Sequence, residues 1–174
     1  MTLVLIGLAV VIAVVLAVAA TRPGTFRVER STTIQAPPET VYPLIDDFHA
    51  WAKWSPWEEL DPNMKKSFGG PARGAGSFYE WEGNKKVGAG RMEILKAVPA
   101  TALSIKLDFL RPFEGHNVAD FTLVPGAGST QVTWAVHGPM VFMGKVMSLF
   151  ISMDSLMGKD FAKGLAKMKS VAEG

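Results

Sequence analysis

Hydrophobic patterning divides the chain into three regimes. From Leu3 to Ala20 every residue is apolar except Gly7, and the first charged side chain is Arg22. A run of about 18 or more apolar residues matches a hydrocarbon core roughly 30 Å thick, so residues 1–21 predict a transmembrane anchor. Residues 22–26 read as a linker, and 27–174 as the water-soluble domain. Within it the apolar period is first that of strands and then, after Gly138-Pro139, that of a helix.

The strand regime starts at Phe26–Gln35, where Thr32, Thr33 and Ile34 favour extended backbone. Ala36-Pro37-Pro38-Glu39 then opens a helix, because proline suits a first turn and an early acid suits its positive end. Val41, Leu44, Ile45 and Phe48 continue it at helical spacing, but Pro43 removes an interior hydrogen bond, so this helix is short or bent. Trp51–Pro62 forms an aromatic, acidic loop, and Gly69-Gly70-Pro71 and Gly74-x-Gly76 punctuate the segment between it and the next strand. Strands are predicted at Ser77–Trp81, Val87–Val98, Leu103–Phe109, Ala119–Leu123 and Val132–His137, with turns at Gly83-Asn84 and Gly126-Ala127-Gly128. Val146, Phe150, Met153, Met157, Phe161, Leu165 and Met168 then line one helical stripe, with Lys159, Lys163 and Lys167 on its solvated edge. The predicted class is α+β: about five or six antiparallel strands curled around one long C-terminal helix.

Composition narrows the function. Without the anchor, the 174-residue chain retains one domain's worth of sequence. It has no cysteine, which excludes disulfides and thiolate chemistry. A net charge of +2 argues against a nucleic-acid partner. The basic excess near both ends suits an anionic membrane surface. A cleaved signal peptide is the alternative to an anchor, and Ala17-Val18-Ala19-Ala20 offers small residues for cutting. That reading lacks a basic n-region, and the apolar stretch exceeds the usual length of about 7–15 residues. Arg22, Arg27 and Arg30 follow the span and no Lys or Arg precedes it, which places the domain in the cytoplasm by the positive-inside tendency.

The candidate site is aromatic and thioether-rich. Tyr79, Trp81, Met92, Phe109, Phe121 and Trp134 are expected on the concave side of the strands, facing Met153, Met157 and Phe161 of the helix. Trp51, Trp54 and Trp57 are spaced three apart, and they either rim the cavity mouth or plug the open end as core. The methionines of the last third, which include Met140, Met143 and Met147, suit a wall that adapts to several apolar shapes or ordinary core filling. Asp46-Asp47 with His49 could make a metal or acid/base site. Adjacent residues on a helix do not face one another, so the cluster reads as a solvated helix end. His116 and His137 read as surface or satisfied histidines. Neither metal nor cofactor is expected. Gly88-x-Gly90 lies inside a strand, Gly138–Lys145 departs from phosphate-loop spacing, and a Gly-x-Ser-x-Gly elbow is absent.

The order of elements resembles the helix-grip fold of the START-like (SRPBCC) superfamily across residues 27–172. Ala36-Pro37-Pro38-Glu39-x-Val41, Trp51-Ala52-Lys53-Trp54-Ser55-Pro56-Trp57, Asp61-Pro62, Tyr79-x-Trp81-x-Gly83-Asn84 and Val132-Thr133-Trp134 carry the likeness. It is strongest to the membrane-anchored branch of the polyketide cyclase/dehydrase and lipid-transport family. The resemblance implies an elongated cavity between sheet and terminal helix that takes a hydrophobic small molecule or lipid. Only some members are enzymes, and no catalytic motif can be carried over. Three functions are compatible with it: a membrane-tethered binding module, a cyclase- or dehydratase-type enzyme, and an interaction or stress-response module with a filled interior.

Overall fold

The structure, a computed structural model, describes residues 2–174. Seven antiparallel strands form one sheet in the order β1-β7-β6-β5-β4-β3-β2. They are β1 (Thr25–Ile34), β2 (Lys65–Gly69), β3 (Phe78–Glu82), β4 (Ala89–Val98), β5 (Ala102–Arg111), β6 (Gly115–Pro125) and β7 (Thr130–Pro139). Five helices accompany them: α1 (Thr2–Ala20), α2 (Pro38–Val41), α3 (Pro43–Asp46), α4 (Phe142–Met147) and α5 (Met153–Glu173). The α+β class with a sheet curved over a C-terminal helix is the expected one.

Local chemistry explains the breaks. Pro43 begins a new helix immediately after Tyr42, so the bent helix is two four-residue pieces. Helices this short leave their C-terminal carbonyls without intrahelical partners. Here indoles fill them: Trp51 Nε1 donates to the Ile45 carbonyl at 3.1 Å and Trp54 Nε1 to the Leu44 carbonyl at 2.7 Å. Two 3-10 turns, Ala50–Lys53 and Pro56–Glu59, carry the tryptophan loop back toward α5.

Three expectations are corrected. Lys65–Gly69, where no element is predicted, is a strand; it pairs with β3 along the sheet edge, where Phe68 stacks between His49 at 4.1 Å and Tyr79 at 5.0 Å. The fourth strand begins at Ala89 rather than Val87. The terminal helix is also not continuous. α4 ends near Ser148, and α5 starts after extended Ser152, whose hydroxyl accepts the Ser155 N–H at 3.1 Å. Phe150, between the two helices, is exposed and leaves the stripe.

The stripe that remains on α5 buries Phe161, Leu165 and Met168 against Trp134, Phe121 and Trp54. Trp134 is the hub. Its ring stacks on Phe161 at 4.3 Å and on Phe121 at 5.2 Å, and Trp54 meets it edge-on at 5.4 Å. This aromatic block closes one half of the space under the sheet; the other half stays open.

A candidate ligand cavity between the sheet and α5

The open half is a partly enclosed apolar cavity of about 190 Å³. Its floor is set by strand geometry, in which residues two apart face the same side. Tyr79 and Trp81 project together from β3, Met92 lies opposite Tyr79 on β4, and Leu107 lies opposite Met92 on β5. Trp81 faces Gly90, and Gly90 faces Phe109. A Cβ at Gly90 would collide with the Trp81 ring, so the bare backbone there is what lets the indole lie across β4. Trp81 is then held by its Nε1–H, which donates to the Val87 carbonyl at 3.0 Å, and by edge contact with Phe109 at 5.8 Å. Met157 and Phe161 form the α5 side.

The mouth is polar. Glu58, Lys86 and Arg111 reach the cavity edge; Lys66 holds Glu58, and Arg111 pairs with Glu82 at 2.9 Å. Asp61 ties the two loops beside it. Its carboxylate accepts the Asn84 N–H at 2.7 Å and the Asn63 N–H at 3.1 Å, and Asn84 Nδ2 donates to the Leu60 carbonyl at 3.0 Å. Burial, then the Glu58 charge, pushes the Tyr79 phenol well above its ordinary range. It therefore stays protonated at neutral pH and can act as a donor.

Eight of the eleven residues anticipated at the site line this cavity: Trp57, Tyr79, Trp81, Met92, Phe109, Trp134, Met157 and Phe161. Trp54 and Phe121 do not; both are fully buried in the aromatic block. Met153 lies one turn outside, in an adjoining groove with Phe26, Pro139 and Leu156. Leu107 and Val136 line the cavity and share strand faces with Phe109 and Trp134, so the period-two pattern already contained them. Met64 and Val87 come from loops, where no period marks a direction.

The acidic cluster is also corrected. Asp46 is buried rather than solvated, because Tyr42 and the Arg73–Gly74 turn cover it, with Gly74 N–H bonded to the Asp46 carbonyl at 3.0 Å. Burial raises its carboxyl pKa, and Arg73 opposes the rise. Among the described residues Asp46 Oδ1, Tyr42 Oη and Trp134 Nε1 are buried without a hydrogen-bond partner. His116 and His137 are each satisfied by a carboxylate, Asp108 at 2.8 Å and Asp120 at 2.9 Å. Among the described residues no group of three metal-ligating side chains converges.

A curved antiparallel sheet closed by a C-terminal helix, with an apolar cavity between them, defines the helix-grip class. The chain belongs to the polyketide cyclase/dehydrase and lipid transport family, whose family model matches residues 25–173. No curated protein matches the chain. Solved structures share the fold at low identity. A Chromobacterium violaceum protein is 19% identical, with 88% of this chain and 99% of that one covered and a TM-score of 0.58. A Thermobifida fusca protein is 18% identical, with 84% and 92% covered and a TM-score of 0.64. DynU16, from the dynemicin biosynthetic locus, is 16% identical, with 84% and 47% covered and a TM-score of 0.58.

Proposed function

We propose that this protein binds an apolar small molecule or one chain of a lipid in the cavity under the sheet, while α1 tethers it to a membrane with the domain on the cytoplasmic side. The observation that carries the reading is the cavity wall, where Trp81, Met92, Leu107, Phe109 and Met157 surround space the core does not fill. An apolar cavity of about 150 Å³ holds a benzene-sized guest, and drug-sized ligands need about 300–1,000 Å³. At about 190 Å³ this one takes a single ring or the end of an acyl chain, and the rest of a longer ligand extends through the mouth. Tyr79 supplies one neutral donor for a hydroxyl or carbonyl. The tether rests on α1, a 19-residue helix of mean hydropathy 3.2 that is almost wholly exposed. A signal sequence also carries an apolar helix, but the run from Leu3 to Ala20 is longer than the usual signal stretch of about 7–15 residues, which favours the anchor.

Met157→Trp tests the binding reading. Met157 is only half buried, so a larger side chain has space to enter. The variant should lose binding of a fluorescent fatty acid while its denaturation midpoint stays close to the parent's. A stability loss of roughly 1–3 kcal/mol, the usual cost of overpacking, together with no binding by the parent, would favour an interaction module with a filled interior.

A further inference from the structure

Strand register brings several separate segments to one end of the sheet. Thr25, the start of β1, pairs with Pro139, the end of β7. Val118 pairs with His137, so the start of β6, and with it the β5–β6 hairpin, lies at that same end. Ala89 pairs with Arg111 and Lys65 with Glu82, which adds the β3–β4 loop bearing Lys85 and Lys86. The apolar helix α1 enters there too, and the Met140 N–H bonds the Gly24 carbonyl at 2.8 Å.

This end exposes large apolar side chains. Phe113, at the tip of the β5–β6 hairpin, is 79% exposed, and Phe150, in the strap joining β7 to α5, is 76% exposed. Val141 and Met143 in the same strap are 69% and 66% exposed. Large apolar side chains exposed together at one end of a domain point to a contact site. The packing of α1 indicates what covers this one. That helix packs on α4, and its only covered positions, Val15 and Ala19, lie one turn apart near its C-terminal end. If α1 spans a bilayer, its last turn sits at the interface, and the strap beside it sits at the same depth. Lys85 and Lys86 in the β3–β4 loop and Arg22 after α1 lie at this same end of the sheet, as expected of a surface that meets lipid headgroups.

We infer that the strap of residues 140–152 and the Phe113 hairpin form a second membrane contact, which sets the cavity mouth against the lipid surface. The inference rests on the tether proposed above. Arg111 and Pro112, next to Phe113, line the cavity. The groove holding Met153 and Leu156 shares Trp57, Phe109 and Met157 with the cavity. The groove at the start of α5, where the strap ends, therefore adjoins the binding space, and a lipid chain entering by it would meet largely apolar side chains.

The native chain has no cysteine, so single labels are unambiguous. Full-length Phe113→Cys, Phe150→Cys, Val10→Cys and Ala127→Cys proteins would carry an environment-sensitive fluorophore in phosphatidylcholine/phosphatidylglycerol vesicles. Ala127 lies in the β6–β7 turn at the far end of the sheet. All four positions are exposed, so the substitutions should leave the fold intact. Labels at 113 and 150 should be blue-shifted and quenched by nitroxide lipids, as the label at 10 should be, while the label at 127 should be quenched by aqueous iodide. Quenching at 10 but not at 113 or 150 would overturn the second contact and leave the tether standing. No lipid quenching at 10 would overturn both. Shielding of 150 from iodide without lipid quenching would mean that protein covers the strap, and would overturn the inference as well.

Discussion

At the residue scale, neighbouring tryptophans have different fates for a reason that spacing does not carry. Trp54, its N–H taken by the Leu44 carbonyl, is enclosed in the aromatic block against Trp134, whereas Trp51, bonded to the Ile45 carbonyl, and Trp57, beyond Pro56, both reach the cavity wall. The aromatic character of the site was legible in the sequence, but the partner of each ring was not, since those partners are carbonyls and faces remote in the chain. Gly164 shows how tightly the aromatic block is built. A Cβ there would lie 3.0 Å from the Trp134 ring and 3.1 Å from Pro56. Replacing a mid-helix glycine by alanine gains about 1 kcal/mol of helix propensity, and overpacking a close-packed core costs about 1–3 kcal/mol. Trp134 is clamped between Phe121 and Phe161 and cannot retreat, so the cost should win. Gly164→Ala is expected to lower the urea midpoint by an amount worth about 1 kcal/mol. A raised midpoint would mean that the ring stack yields.

At the element scale, the turn Pro56–Glu59 must be fixed to α5 for Trp57 to close its side of the cavity. Glu59 does this by accepting from Lys163 Nζ at 2.6 Å and from Lys167 Nζ, so two lysines expected on a solvated edge are a clamp. Those hydrogen bonds, Lys163 first, hold the Glu59 carboxyl down at about 2 against an ordinary 4.5. A depressed acid stabilises the fold above its unfolded pKa and stops doing so as pH falls through its folded one. The contribution is thus present above about 4.5 and lost between about 4.5 and 2. Glu59→Gln should flatten the pH dependence of the denaturation midpoint in that window. Because the groups are exposed, the difference should shrink in high salt. Identical acid profiles for parent and variant would show that the clamp adds nothing. Elements missed in the sequence share one trait, weak periodicity. β2 is a five-residue edge strand, exposed along most of its length, so no buried face alternates. The α4–α5 break was hidden because the strap before Ser152 is apolar although exposed, and its Val146 and Phe150 run in phase with the core stripe.

At the scale of the whole molecule, the change of apolar period from two to 3.6 was enough to predict a sheet closed by a terminal helix, because either element alone leaves an unburied face. What that pattern does not encode is empty space. A cavity and a filled core use the same residue types, and the difference here is made by Gly90, by the short β3–β4 register and by the half-buried Met157. The pattern also sets α1 apart; no α1 residue belongs to the main hydrophobic core, and its principal packing is on α4. A domain whose main core takes no residue from a neighbouring element can fold without it. A chain beginning at Arg22 keeps the Gly24 carbonyl that Met140 bonds, and it should therefore unfold in one cooperative transition at the same urea midpoint as the full-length protein in mild detergent. Because the strap and the Phe113 tip remain, it should also keep a weak, salt-sensitive affinity for anionic vesicles. A broad, non-cooperative transition would mean that the packing of α1 on α4 supports the domain and that the boundary lies elsewhere.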